Sequence, residues 1–161
     1  MKKVVFPSSV SSSIRPERGP EQRARFLYVE DDDENWQVAQ LRLEHEFDMV
    51  RAVDAHEACR LLKARGGEFM AILMDIELRG SELNGIELTE LLRGKRLNRE
   101  LPDYANNLPT FTNPIIFVTA HNARYSDVEL MLFGADRVIP KPVNFPALTF
   151  ALQAIQYAGK R

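Results

Sequence analysis

Four polar positions, each directly after a short apolar run, are the residues of this chain whose types and spacing could do chemistry. They are the acidic pair Glu30-Asp31, the carboxylate Asp75, the hydroxyl of Thr119 and the ammonium of Lys141. The carboxylates would repel one another unless a cation lay between them, and a small cluster of hard oxygen ligands favours Mg²⁺. An aspartate in such a cluster can act as a nucleophile toward a phosphoryl group. The spacing therefore predicts a magnesium-assisted phosphoacceptor site at Asp75.

The hydroxyl and the ammonium suit the same chemistry. Thr119 can donate a hydrogen bond to a phosphoryl oxygen, and Lys141 supplies a compact positive charge. Positioning and charge neutralisation are most of what phosphoryl transfer demands. Each of these residues alone is more often a strand end, a helix cap or a surface group, and it is their convergence that favours the functional interpretation. We assign the rest of the acidic run, residues 32–34, to helix capping and surface charge.

The elements that must position these residues alternate between short apolar runs and longer amphipathic segments. This alternation is typical of parallel strands joined by helical crossovers. The sequence predicts strands at 25–29, about 49–53, 71–74, 115–118 and 137–139, and helices at about 35–46, 55–64, from just after Gly85 to 97, 123–133 and 146–157. In an open parallel sheet, ligands bind outside the carboxyl ends of the strands. All four polar positions are predicted to lie at those ends.

Composition bounds the rest of the interpretation. A length of 161 residues and a hydrophobic content of 45% fit one domain, which we place at 25–161 after a flexible Ser/Pro/Arg-rich leader at 1–24. The net charge of -2 disfavours nucleic acid as a partner, and Cys59 is a single cysteine without an internal disulfide partner. No apolar segment approaches the roughly 20 residues that cross a bilayer. We expect a cytoplasmic protein with no membrane partner.

A long connection interrupts the regular pattern before the fourth strand. Residues 98–113 contain Pro102, Asn106-Asn107 and Pro109, which are unfavourable in a helix. We therefore predict a loop at about 98–113, and loops of this length are uncommon and often functional.

With these motifs the chain resembles the response-regulator receiver domains of two-component signalling, in particular the single-domain chemotaxis regulators, over about residues 25–158. The matching positions are Glu30-Asp31, Asp75, Thr119-Ala120, Gly134-Ala135-Asp136 and Lys141-Pro142. The resemblance implies an α/β fold that is flavodoxin-like, with a doubly wound, five-stranded parallel sheet of (βα)5 type and strand order 2-1-3-4-5.

The resemblance also implies roles for the site residues. Asp75 would be the phosphoacceptor, Asp31 the direct Mg²⁺ ligand, Glu30 a ligand mainly through water, and the main-chain carbonyl of Glu77 would complete the metal site. The positions of Glu77 and His121 would tune how water reaches the acyl phosphate. A histidine kinase or histidine phosphotransfer protein would donate the phosphoryl group, and an unknown downstream protein would respond. Catalysis would be limited to the chain's own Mg²⁺-dependent phosphorylation and dephosphorylation.

Three departures from the family pattern concern the loop beyond Asp75 and the structural change by which a partner would sense phosphorylation. The proline common soon after the acceptor is missing, and Gly85 comes two residues late. Val138 stands where the family often has an aromatic residue, and the 98–113 segment is an insertion. These departures leave open the shape of the acceptor loop and the nature of the switch.

Two other functions remain as alternatives. A pseudo-receiver would bind a partner without phosphorylation, although the complete set of site residues argues against it. A haloacid-dehalogenase-like phosphatase is less favoured, because that family has a second Asp where Glu77 stands and places its metal carboxylates after the lysine.

Overall fold

Five parallel strands form one sheet, and their order 2-1-3-4-5, numbered along the chain, confirms the predicted flavodoxin-like topology. The structure is a computed structural model that describes residues 22–120 and 124–160. The strands are β1 (Arg25–Val29), β2 (Asp48–Ala52), β3 (Phe69–Met74), β4 (Ile115–Ala120) and β5 (Arg137–Lys141). The helices are α1 (Asp33–Leu43), α2 (Ala55–Arg65), α3 (Gly85–Leu92), α4 (Asp127–Leu132) and α5 (Phe145–Gly159), with short 3-10 turns at Gly66–Glu68 and Asp103–Ala105.

The central strands are buried on both faces, which is why their sequences are continuous apolar runs rather than alternating ones. One face, which includes Leu27 and Ile72, packs against α2 and α3 with Leu130 of α4. The other face, which includes Phe26 and Leu73, packs against α1 and α5. Complete burial of each such side chain stabilises the fold by about 1.5–3 kcal/mol. The two cores therefore hold the strands rigidly, and with them the polar residues that follow each strand.

Most predicted element ends agree with the structure to within three residues. The first strand agrees fully, and Asp32 caps α1 by accepting a hydrogen bond from the amide of Asn35 at 2.8 Å. Helix α1 ends at Leu43 rather than near 46. The fourth helix begins at Asp127 rather than near 123, because Ser126 caps it and accepts a hydrogen bond from the amide of Glu129. The predicted leader lies almost entirely outside the described residues, as does His121.

The third helix is shorter than the sequence predicts, because it ends at Leu92 rather than near 97. Gly94 has a φ of 78°, a left-handed conformation that favours glycine and stops the helix. Lys95 and Arg96 therefore lie beyond the helix instead of in its last turn.

Arg93, directly after α3, joins three parts of the chain around β4. Its guanidinium donates to the carbonyl oxygens of Phe111, Asn113 and Gly134 at 2.6, 3.0 and 3.0 Å. It also pairs with the carboxylate of Asp136 at 2.7 Å. One largely buried side chain thus ties the end of the predicted 98–113 loop to the turn that precedes β5.

The 98–113 segment is irregular apart from the turn at Asp103–Ala105, and it packs against α2. The rings of His56 and Tyr104 are stacked with centroids 4.6 Å apart, and Lys63 donates to the Tyr104 carbonyl oxygen at 2.6 Å. Arg99 donates to the carboxylate of Glu87 on α3 at 2.9 Å. The insertion therefore adds to the layer of helices on this face of the sheet.

The loop between Asp75 and α3 closes tightly despite its extra length. Gly85 donates its amide to the carbonyl oxygen of Ile76 at 2.8 Å, and a β-carbon at Gly85 would lie 2.0 Å from the main-chain oxygen of Asp75. A turn in which the Ser81 amide donates to Leu78 at 3.2 Å accommodates residues between these ends. The late glycine still packs against the acceptor backbone.

This contact predicts that Gly85→Ala is strongly destabilising. The new methyl group would overlap the Asp75 carbonyl, so we expect the free energy of unfolding to fall by more than about 2 kcal/mol. Gly67→Ala is the matched control, because a β-carbon at Gly67 meets no atom within 4 Å. Urea denaturation of both variants measures the difference, and equal stabilities would contradict the packing described for Gly85.

Candidate functional site

The polar residues of the site extend the ends of β1, β3 and β5. Glu30 follows β1, and its amide donates to the carbonyl oxygen of Ala52 at 3.0 Å. Asp75 follows β3, and its amide donates to the carbonyl oxygen of Val29 at 3.0 Å. Lys141 is the last residue of β5. Because the sheet ladder continues through Glu30 and Asp75, their backbones are held as firmly as the strands themselves.

Three carboxylates meet at this edge of the sheet. One oxygen each of Glu30, Asp31 and Asp75 lie within 4.8 Å of one another. The ammonium of Lys141 donates to Glu30 Oε2 at 2.8 Å and to Asp75 Oδ2 at 3.0 Å. One ammonium offsets one of three negative charges, and all the facing atoms are hard oxygens. The donor set therefore fits Mg²⁺, which is bound through one or two carboxylates and retains several waters.

Burial makes these charges interact strongly. Glu30 is 0% and Asp75 6% exposed. Burial raises the pKa of Asp75 to about 6, with Glu30 adding to the rise and Lys141 opposing it. Burial lowers the pKa of Lys141, but its bonds to Glu30 and Asp75 outweigh this effect and leave it raised. Burial, followed by the charges of Glu30 and Asp75, also raises the pKa of Tyr28 beneath the site.

Neighbouring groups orient the two carboxylates that follow β1. Glu30 Oε1 accepts from the amide of Asp32 at 3.2 Å and from the side chain of Asn35 at 3.3 Å. Asp31 Oδ2 accepts from the main-chain amide of Arg79 at 3.0 Å. The loop beyond Asp75 thus reaches back to hold a carboxylate of the first strand. The sequence did not predict these roles for Asn35 and Arg79. Asn35 lies in a helix and Arg79 acts through its main-chain amide in a loop, and neither feature has a sequence motif.

Thr119 lies at the same edge but outside the carboxylate cluster. It is 7% exposed, and among residues 22–120 and 124–160 its hydroxyl has one hydrogen bond, to the adjacent Ala120 carbonyl oxygen at a long 3.4 Å. In the sheet it is paired with Pro140, the residue before Lys141. A cavity of about 130 Å³ lies beside it, lined among others by Tyr125 and Val138. The hydroxyl is therefore weakly held and has space on one side.

The structure brings together Glu30, Asp31, Asp75 and Lys141, and it places Thr119 on the neighbouring strand. Glu77 is exposed, two residues beyond Asp75. The role of its main-chain carbonyl as a metal ligand stays a prediction, as do the phosphoacceptor and hydrogen-bonding roles of the other site residues.

An open parallel sheet with acidic residues and a lysine at its carboxyl edge defines a flavodoxin-like protein with a candidate cation site. The family model of the response regulator receiver domain matches residues 26–153. The chain belongs to this family of signalling switches, which confirms the resemblance inferred from the motifs.

Solved structures of similar fold include receiver domains of response regulators. The receiver domain of the Francisella response regulator 1452 has a TM-score of 0.67 and 22% identity, covering 86% of this chain and 100% of that one. A receiver domain protein from Clostridium thermocellum has a TM-score of 0.67 and 18% identity, covering 85% and 97% of the two chains. NtrX from Brucella abortus has a TM-score of 0.66 and 22% identity, covering 86% of this chain but 28% of its own. At these identities the likeness supports the fold alone.

No curated protein matches the chain. Among the helices of residues 22–120 and 124–160, none is long and apolar enough to cross a membrane.

The raised pKa of Asp75 predicts how stability depends on pH in the absence of metal. Between the ordinary value of 3.8 and about 6, the folded protein retains a proton that the unfolded chain releases, so stability falls as the pH rises through this interval. Asp75→Asn has no carboxyl group to titrate at this position, so its stability does not fall in this way. In EDTA at pH 7.5 we expect this variant to be more stable than the wild type by roughly 1–3 kcal/mol, and the difference to shrink toward pH 4.

Urea denaturation across this pH range, with and without Mg²⁺, measures the effect. Added Mg²⁺ should stabilise the wild type and narrow the difference. Asp103→Asn, an exposed aspartate in the 3-10 turn, is the control and should show no comparable gain. A wild type that is more stable than Asp75→Asn at pH 7.5 in EDTA would contradict the prediction.

Proposed function

We propose that this protein is a phospho-accepting response regulator of a two-component phosphorelay. It takes a phosphoryl group from a histidine kinase or histidine phosphotransfer protein onto Asp75 and thereby changes its binding of a downstream protein. One observation carries the proposal: the Asp75 carboxylate lies 3.0 Å from the Lys141 ammonium, in a cluster of three carboxylates at the carboxyl edge of the sheet.

The proposed reaction forms one bond and breaks one bond. A carboxylate oxygen of Asp75 attacks phosphorus, the new O–P bond forms an acyl phosphate, and the P–N bond to the donor histidine breaks with the electron pair leaving on the imidazole. Lys141 neutralises negative charge on the phosphoryl oxygens, and Thr119 donates a hydrogen bond to one of them. Glu30, Asp31 and Asp75, with the Glu77 carbonyl, would hold Mg²⁺, which supplies further charge neutralisation when bound.

The readout is proposed to pass through Thr119. Within the part of the chain that the structure describes, its hydroxyl has one bond, the 3.4 Å bond to Ala120, so turning toward a phosphoryl oxygen would give up little. The cavity beside it leaves Tyr125 and Val138 room to adjust. A partner would sense the change only to the extent that it binds the two states with different affinity.

The extent and setting of the domain remain predictions. We place the domain at 25–161 with a leader at 1–24, in the cytoplasm and with no membrane or nucleic-acid partner. The family match over residues 26–153 supports the central part of the proposed domain.

Phosphorylation by a small-molecule donor tests the proposal directly. With Mg²⁺ and acetyl phosphate, we expect intact-mass spectrometry to show one labile phosphoryl adduct on the wild type. Asp75→Ala should show no adduct, because this variant lacks the carboxylate that is proposed as the nucleophile. Asp103→Asn is the matched control and should be labelled like the wild type.

The same experiment separates the alternatives. No adduct on the wild type would favour a pseudo-receiver that binds without phosphorylation. An adduct that persists in Asp75→Ala would move the acceptor to another residue. Turnover of many phosphomonoesters would favour a phosphatase.

The proposed role of Thr119 predicts that labelling and readout can be separated. Thr119→Ala should still form the adduct, because the nucleophile and the ammonium are unchanged. Phosphorylation should then cause much smaller NMR chemical-shift changes at Tyr125 and Leu130 than in the wild type. Thr112→Ala, an exposed threonine before β4, is the control. If phosphorylation changed the chemical shifts of Thr119→Ala as much as those of the wild type, the signal would not pass through Thr119.

A further inference from the structure

A single arginine of β2 holds the backbone of the acidic loop that follows β1. Arg51 Nε donates to the carbonyl oxygen of Glu30 at 3.0 Å, and its Nη2 donates to the carbonyl oxygen of Asp31 at 3.2 Å. Its Nη1 pairs with Asp33 at 2.8 Å, and its Cζ lies 5.9 Å from the centroid of the Trp36 ring. The side chain is 17% exposed. No part of the proposed phosphorylation chemistry uses this residue.

The two carbonyl oxygens lie where the sheet ladder ends. The last ladder bond near this point is donated by the Glu30 amide to Ala52. Beyond it, the carbonyl oxygens of Glu30 and Asp31 accept from Arg51 instead of from a strand. These are the residues whose carboxylates face Asp75, so the guanidinium fixes the peptide units from which two of the three carboxylates project.

We propose that Arg51 is a positioning residue for the cation site, which it tunes by holding the Glu30 and Asp31 backbone rather than by touching the cation. This inference rests on the proposed function, because it assumes that the three carboxylates bind a divalent metal. Groups that orient the ligands of a metal commonly set its affinity although they lie outside the coordination sphere.

The arrangement requires the shape of a guanidinium. Its planar fork presents several donors in fixed directions, and the indole of Trp36 on one face with Asp33 at one edge limits its rotation. A lysine would keep the positive charge but could not reproduce the two fixed bonds to the carbonyl oxygens. The charge itself opposes a second cation nearby. Geometry and charge therefore act in opposite directions on metal affinity and can be separated.

The simpler explanation is a surface ion pair between Arg51 and Asp33. The side chain of Asp33 is 79% exposed, so solvent screens that pair. An arginine present only for this pair would not need its other two nitrogens on the carbonyl oxygens of Glu30 and Asp31. The ion pair explains one contact, whereas positioning explains all of them.

Metal binding by Arg51→Lys tests the inference. Free Mn²⁺ is counted by electron paramagnetic resonance in titrations of the wild type and the variant, and Mg²⁺ is added as a competitor. We expect the Kd of Arg51→Lys for Mn²⁺ to rise by roughly 10-fold or more, as is typical when an outer support of a metal site is lost. Arg51→Gln should also bind more weakly, although it lacks the opposing charge. Arg60→Lys, on the exposed side of α2, is the control.

The outcomes distinguish this inference from the proposed function. If the wild type does not bind Mn²⁺, the proposed cation site fails and the inference fails with it. If the wild type binds and Arg51→Lys binds equally well, the inference alone is overturned. Tighter binding by Arg51→Gln would show that Arg51 acts only as a repelling charge, and it would also overturn the inference.

A measurement on the unmodified protein decides the matter if the variants do not fold. In the wild type, the Arg51 Nε–H should be visible by NMR because its bond to the Glu30 carbonyl oxygen protects it from exchange, and its resonance should shift on addition of Mg²⁺. A resonance that does not respond while Mg²⁺ binds would contradict a positioning role.

Discussion

The repulsion among three carboxylates, two buried and one half-buried, is the interaction around which this molecule is organised. Glu30, Asp31 and Asp75 present oxygens within 4.8 Å of one another, and Lys141 offsets only part of their charge. Carboxylates on a mobile loop would move apart. Here Glu30 and Asp75 extend the sheet ladder at the ends of β1 and β3, so their backbones cannot move apart. In the proposed function, this unrelieved repulsion favours the binding of a cation.

Holding these charges requires support from beneath and from the side. The two apolar cores fix the strands, and Gly85 lets α3 begin against the backbone of Asp75, where a β-carbon would lie 2.0 Å from its oxygen. Arg79 and Arg51 hold the acidic loop from opposite sides, one through its amide and the other through its guanidinium. The site is therefore a property of strand ends together with two neighbouring loops.

Apolar runs that end in charged residues constrain both burial and direction, so they predicted the parallel sheet and the residues that meet at its edge, whereas the strand order was implied by the resemblance to receiver domains. The predicted third helix was too long, since Arg93, Lys95 and Arg96 favour helix. In the structure, the left-handed Gly94 and the tertiary bonds of Arg93 end α3 at Leu92. The acceptor loop could not be predicted because its closure depends on a contact with Asp75. Arg51 was visible as a charge within an otherwise apolar strand, but only the fold shows what it reaches.

The two unusual loops of this chain are physically joined. Arg99, in the insertion before β4, donates to the carbonyl oxygen of Glu82 at 3.3 Å, and Ser81 in the same acceptor loop accepts from the amide of Ala55 at 3.1 Å. A graft of either loop onto a relative with shorter connections would lose these anchors. The conformation of the acceptor loop therefore depends on the insertion, and a change in the length of either loop would remove support from the other.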